Sequence, residues 1–298
     1  MSFSWAGALS RLGRRVLGIN ARNLSVIYVK NLRSAFRTVD DKLLCKAVLE
    51  SAGVPVPRTL FVVERYRDLK RLKQEIHALP GFVVKPAAAS GGKGILVVRR
   101  EPDGSLAAPG SRGDRPVSEQ DVLEHVAQIL SGLVNPARLD ERVFLEELLE
   151  PDPVLGRLAY RGLPDVRLIV DEGRPVMGMV RVPTRRSAGR ANLHQGALGL
   201  GVDLATGRTT FAILGNRAVG AHPDTGVPLE PLAVPHWARM MEMSARAAGC
   251  VDLGYVGVDL ILDREKGPLV IELNARPGLN IQLANRTGLR QVLGLETS

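Results

Sequence analysis

Cysteine is nearly absent from this chain, with two in 298 residues. Cys45 and Cys250 show neither paired spacing nor a CxxC, so the sequence suggests neither a disulfide framework nor a zinc cluster. Two core thiols in a reducing, cytoplasmic setting are expected. Aromatic residues are scarce as well, at 4%, which removes the stacking platforms of single-stranded nucleic-acid readers. No run of about 18 apolar residues occurs, so no transmembrane segment is expected. The apolar core of a secretory signal is also missing. Acidic residues are absent from positions 1–39, where Arg11, Arg14, Arg15, Arg22, Lys30, Arg33 and Arg37 supply seven positive charges. The rest of the chain holds 33 basic and 31 acidic groups, so the net charge of +9 belongs mostly to this arm. A charge excess confined mostly to one arm, without aromatic interleaving elsewhere, argues against nucleic acid as a partner.

What is present describes a globular protein, with 45% apolar and 24% charged residues and length enough for two compact units. The basic arm spans 1–39. Its Trp5, Leu9, Leu12 and Val16 fall at helical spacing, which fits a transit peptide, a membrane-surface helix, a dock for an acidic partner, or a basic helix packed on the body. A first unit is expected over 40–141 and a second over 142–298. The first opens with a helix that Asp40 or Asp41 caps and Gly53 ends, its apolar face formed by Leu43, Leu44, Ala47 and Val48. Strand, glycine-rich loop and strand follow in "GFVVKPAAASGGKGILVV". Residues 101–117 read as an exposed excursion, and a helix near 118–131 closes the unit. The second opens with the strand "RVFLEELL". It continues through a hairpin turning at Glu172 and Gly173, a long polar loop "TRRSAGRANLHQGALGLG", a strand near 209–214 and a helix near 235–249. It ends in "YVGVDLIL" and "PLVIELN", joined by "DREKG".

Three places carry chemistry. Glu272 and Asn274 end an apolar strand and, two apart, share one face. Asp259 lies one hairpin upstream, and antiparallel pairing brings it across from them. Three oxygen-bearing side chains on one spot suit a hard cation such as Mg²⁺, against a plain strand-end cap. In the second place, Gly91, Gly92 and Lys93 form a loop whose backbone N–H groups can approach phosphate, against a merely flexible hairpin. Lys85 ends the preceding apolar strand and needs a partner there, which a bound phosphate would supply. The third place is an arginine loop. Arg181 ends a strand, and Arg190, Asn192 and His194 alternate after it. Guanidinium forks there would neutralise charge developing on a phosphoryl group. Arg185 and Arg186 read as solvated surface, and His194 as a local hydrogen-bonding residue.

"GRANLHQG" and "VGVDLIL…PLVIELNARPGLN" resemble an ATP-grasp ligase of the ribosomal-protein glutamate-ligase type, closest to the alpha-L-glutamate ligase-like proteins, from about Asp40 onward. The resemblance implies an α/β (α+β) ATP-grasp fold, two subdomains with nucleotide bound between antiparallel sheets. It assigns Asp259, Glu272 and Asn274 to two Mg²⁺ ions, with Mn²⁺ as an alternative. Lys42 and Lys85 are assigned to nucleotide phosphate, Glu147 and Leu148 to the hinge facing adenine, Asp165 to the nucleotide, and Arg190 with Asn192 to the phosphate side. Glu146 stands where the family often has glutamine. The α/β domain that usually precedes the match has only 39 residues here, so a protein partner or homodimer is expected to replace it. The implied function is an ATP-dependent carboxylate–amine ligase working through an acyl phosphate, with glutamate or another amino acid as family-level substrate. Arg181 and Arg190 would stabilise the transferring phosphoryl group. The alternative is a nucleotide-binding regulator or scaffold acting with a partner.

Overall fold

The computed structural model describes residues 15–89, 91–110, 113–134, 136 and 141–295. The chain divides into two compact units, one of residues 40–47 and 56–150, the other of 1–39, 48–55 and 151–298. Each is built on an antiparallel sheet with helices. Most of the helix expected from Trp5 to Val16 lies outside the described residues.

In the smaller unit the strands are β1 (Thr59–Val63), β2 (Gly81–Pro86), β3 (Leu96–Arg100), β4 (Leu106–Gly110), β5 (Gly113–Val117) and β6 (Val143–Glu147). Their order across the sheet is β1-β6-β2-β3-β4-β5. The strand expected to open the second unit therefore sits inside the first sheet, between β1 and β2. Its first four residues are all buried, as a central strand requires, and sheet membership does not follow chain order. The expected excursion over 101–117 is a hairpin, β4 and β5, in which Leu106, Ala107, Ala108 and Val117 are buried. Its Gly and Pro content reads as loop, and its burial does not alternate along either strand. Helix Glu119–Leu130 begins at a capping box between Ser118 and Asp121. It buries Val122, Val126 and Ile129 completely, each contributing about 1.5–3 kcal/mol of burial.

Helix Lys42–Ser51 is capped by Asp41, whose Oδ1 accepts from the Leu43 and Leu44 amides at 3.0 and 3.1 Å. Gly53, at φ 67°, follows its end. The buried face is Cys45, Lys46 and Leu49, while Leu44 and Ala47 are exposed. The expected apolar face is thus rotated, because a buried lysine occupies a place that hydropathy assigns to solvent.

The larger unit has β7 (Asp165–Asp171), β8 (Arg174–Val182), β9 (Leu198–Val202), β10 (Thr209–Leu214), β11 (Arg217–Ala218), β12 (Tyr255–Asp263) and β13 (Gly267–Asn274). They are ordered β11-β10-β9-β8-β7-β12-β13. Glu172 and Gly173 both have positive φ, 47° and 75°, the two-residue turn whose twist suits a hairpin. The polar loop after β8 is shorter than expected, since "LGLGV" forms β9 and is wholly buried. All nine residues of β12 are buried, between β7 and β13. The described part of the basic arm packs into this unit. Asn31 bridges to Tyr255 through paired hydrogen bonds of 2.8 Å each, and Arg22 Nη1 donates to the Pro277 carbonyl at 2.8 Å. Lys30 pairs with Asp171 at 2.6 Å.

Candidate functional site

In the larger unit four neighbouring strands, β8, β7, β12 and β13, bring the charged residues together. Asp259 on β12 is registered opposite Glu272 on β13 and opposite Arg167 on β7, while Gly257 faces Asn274. The register slips by one beside Asp259, with Leu260 facing Val270. A bulge of this kind re-aims the side chains around it. Asn274 Nδ2 donates to Asp259 Oδ2 at 3.1 Å, so the expected convergence of these two residues is real. Arg167 embraces Asp259 with Nε on Oδ1 and Nη2 on Oδ2, both 2.6 Å. Arg181 on β8 does the same to Asp165, at 2.5 and 2.6 Å, and its Nη2 also donates to Asp259 Oδ2 at 2.8 Å.

Burial alone would raise the Asp259 carboxyl, but Arg167 and Arg181 outweigh it and hold it at about 2. For Asp165, burial prevails over Arg181, and the neighbouring Asp259 charge adds to it, pushing the group up to about 6. Arg181 is thus buried and shared by two carboxylates, where a guanidinium presented to a phosphoryl group was expected. Arg190 is exposed, and Asn192 is half-buried with its Oδ1 accepting from the His194 amide at 3.0 Å. Asn192 caps the short 3₁₀ turn Leu193–Gln195, so the expected alternation of Arg190, Asn192 and His194 gives way to a turn. The segment after β13 passes close by. A Cβ placed on Gly278 would lie 3.7 Å from His194 Nε2 and 4.0 Å from Arg167 Nη1.

Among the described residues no group of three or more His, Cys, Asp or Glu side chains is arranged to hold a metal ion. Asp259, Glu272 and Asn274 offer two carboxylates and an amide. That set is too small to enclose Mg²⁺, but it fits an ion that completes its shell with water and phosphate oxygens. The Asp259 carboxylate already accepts from Arg167, Arg181 and Asn274, so a cation would share it with two guanidiniums.

The smaller unit gathers lysines. Lys85 on β2 meets Glu146 on the adjacent β6 at 2.5 Å, and Lys46 takes the other carboxylate oxygen at 2.8 Å. The partner that Lys85 needs is therefore a protein carboxylate here, where phosphate was expected. Burial pushes the Glu146 carboxyl up, but Lys85 and Lys46 outweigh it and leave it below its ordinary value. Lys46 also donates to the Pro57 carbonyl and lies 5.5 Å from the Phe144 ring centroid. Lys42, one turn earlier on the same helix, donates to the Ala89 carbonyl just before the glycine loop. Gly91, Gly92 and Gly94 have φ of 68°, 75° and 73°, a left-handed series that side chains resist. Lys93 is exposed. Glu147 Oε1 accepts from the Arg58 amide at 2.9 Å, and the Leu148 side chain covers Gly81.

Arg167, Lys46 and the bridging role of Glu146 escape sequence reasoning. A signal existed for two of them. Arg167 shares a strand face with Asp165 two residues earlier, and Lys46 follows Lys42 by one helical turn.

A family model described as sugar-transfer associated ATP-grasp matches residues 21–296. The probable alpha-L-glutamate ligase of Haemophilus ducreyi is 26% identical over 269 residues, covering 90% of this chain and 64% of that protein. The chain thus spans less than two thirds of this curated relative. Two solved structures share the fold. D-cycloserine synthetase has a TM-score of 0.51 at 17% identity, covering 88% of this chain and 70% of that one. Biotin carboxylase from Campylobacter jejuni has a TM-score of 0.53 at 17% identity, with 85% and 44% coverage.

Proposed function

The chain belongs to the sugar-transfer associated ATP-grasp family, and from that membership we propose that it is an ATP-dependent ligase joining a carboxylate to an amine. The observation that carries this reading is the β12–β13 hairpin, where Asp259 faces Glu272 and bonds Asn274 under two arginines. The alpha-L-glutamate ligase name of the Haemophilus ducreyi relative supports glutamate or another amino acid as one substrate.

In the proposed reaction the substrate carboxylate oxygen attacks the γ-phosphorus of ATP. The bond from that phosphorus to the β,γ-bridging oxygen breaks, giving ADP and an acyl phosphate. An amine then attacks the acyl carbon and phosphate leaves, forming an amide. Phosphorylation matters because a free carboxylate would have to expel oxide. The protein's share is positioning and charge neutralisation. Mg²⁺, held by Asp259, Glu272 and Asn274, would neutralise triphosphate charge; one or two ions, or Mn²⁺ in their place, suit the same donors.

The other roles fall to the chain itself. Lys42, Lys85 and the loop at Gly91, Gly92 and Lys93 would hold the phosphates, Glu147 and Leu148 the adenine. Arg190, exposed beside Asn192, would meet the transferring phosphoryl group. Asp165 and Arg181, buried against each other, act as positioning residues: Asp165 orients Arg181, and Arg181 orients Asp259. The nucleotide contact expected of Asp165 would then run through Arg181.

The test is product formation by mass spectrometry, with protein, ATP, Mg²⁺ and a pool of amino acids, peptides and sugar-linked amines. A new mass equal to two pool members minus water, with ADP rising in step, is expected. Glu272→Ala should lower that turnover by about 10²–10³-fold with its melting temperature unchanged. ATP binding without any new product would favour a nucleotide-binding regulator, and full turnover by the Glu272 variant would remove the metal assignment.

A further inference from the structure

The amino-terminal helical stretch has an outer face that the proposed reaction does not use. Residues Ile19–Arg22, Asn23–Ile27 and Tyr28–Lys30 run on without a break, α-helical at both ends and π-helical in the middle. Arg22, Val26, Ile27 and Asn31 are buried. The opposite side carries Leu24, Tyr28 and Val29 at 66%, 67% and 73% exposure, with Ile19 at 64% before them and Leu32 at 60% after. Single exposed apolar side chains are ordinary. Five within one short stretch form a patch, which marks an interaction surface.

The charge around the patch narrows what covers it. Positions 1–39 contain no acidic residue. Arg22 is buried on the Pro277 carbonyl, and Lys30 is engaged by Asp171 and Glu172. That leaves Arg15, Arg33 and Arg37, all exposed, on either side of the apolar face. Phe3, Trp5, Leu9, Arg11, Leu12 and Arg14 precede them in the sequence and extend the same mixture. From other elements, Asp171 and Glu172 reach Lys30, and the Asp252 backbone carbonyl accepts from the Leu32 amide, all toward the carboxyl-terminal end of the stretch. A second copy is a poor occupant, because a twofold interface sets each patch against itself and would bring arginine to arginine. An anionic lipid surface suits both features, since apolar side chains enter the acyl boundary while arginines meet headgroup phosphates. No helix among the described residues is long and apolar enough to cross a membrane, so the geometry is that of a helix lying on the surface. We propose that the chain docks on anionic membrane through Leu24, Tyr28 and Val29, with Arg15, Arg33 and Arg37 as the electrostatic flank. This surface is independent of the ligase reading.

Co-sedimentation of the full chain with vesicles tests it, using equal parts phosphatidylglycerol and phosphatidylcholine against phosphatidylcholine alone. Binding to the anionic vesicles only is expected, weakening as salt rises. The double substitution Leu24→Glu, Val29→Glu should weaken it by about tenfold or more. Changing Arg15, Arg33 and Arg37 to Gln should cost about fivefold for each charge. Both variants alter exposed positions; if the glutamate pair loses its thermal transition, the glutamine series and the salt titration carry the test. No binding to anionic vesicles, equal binding to both compositions, or wild-type binding by both variants overturns the proposal. A dimer that dissociates in the Leu24, Val29 variant, with no vesicle binding, assigns the face to a second copy instead.

Discussion

The two charged clusters use similar groups in different proportion. In the smaller unit one carboxylate, Glu146, is divided between two ammonium groups, Lys46 and Lys85. In the larger unit two guanidiniums, Arg167 and Arg181, are divided among Asp165 and Asp259, and Glu272 stands across from Asp259 on the next strand. The first arrangement sets two cations on one carboxylate; the second interlocks two cations with two carboxylates. Burial differs as well. Arg181 and Asp259 are almost sealed, with side-chain exposures of 9% and 2%, whereas Lys85 keeps 17%. In each cluster one cation is the more exposed, Lys85 at 17% against 6% for Lys46 and Arg167 at 12% against 9% for Arg181.

Removing a brace should break that contrast most sharply. Arg181→Met leaves Asp165 and Asp259 without their shared cation, and a stability loss of about 3–5 kcal/mol is expected in urea unfolding. Arg167→Met should cost less, since Asp259 retains Arg181. A cost equal for both would mean that the brace is not shared.

Glu146→Gln tests the other cluster through pH. Burial raises the Glu146 carboxyl, Lys85 and Lys46 more than offset it, and the folded value lies below the ordinary 4.5. A depressed carboxyl adds stability that is present above its unfolded pKa and is lost as pH falls through the lower folded one. The variant should therefore be about 1–3 kcal/mol less stable at neutral pH, with a flatter fall in stability below the ordinary carboxylate value. An acid limb of unchanged steepness would assign the charge balance to other groups.

The smallest effect separates the two lysines. Lys85→Met should cost only about 1 kcal/mol of stability yet weaken ADP binding in calorimetry. Lys46→Met, which also orphans the Pro57 carbonyl, should cost roughly twice that stability with ADP affinity nearly intact. The reverse pattern would exchange their roles.

Much of this organisation is legible in the chain itself. Gly173 announces the hairpin between two apolar runs, because glycine takes positive φ without strain. Asp259, Glu272 and Asn274 are found by alternation and one short turn. Other features lay beyond the sequence for physical reasons. Lys85 looked like a lone charge, since its partner Glu146 lies 61 residues away. The Arg181 role as a buried brace depends on Asp259, 78 residues distant. The helix face of Lys42–Ser51 was misplaced because a lysine is buried when a carboxylate waits for it, and hydropathy counts no partners.

The sequence by itself determined the local elements and the pairing of Asp259 with Glu272 and Asn274 in one hairpin, since periodicity, caps and tight turns act over a few residues. It also placed most of the net positive charge in the first 39 positions. Tertiary structure alone decided that β6 joins the first sheet, that Glu146 serves two lysines, and that Arg167 and Arg181 share Asp259. Those are pairings between strands and helices far apart in the chain, and a buried charge takes its meaning from the group folded against it.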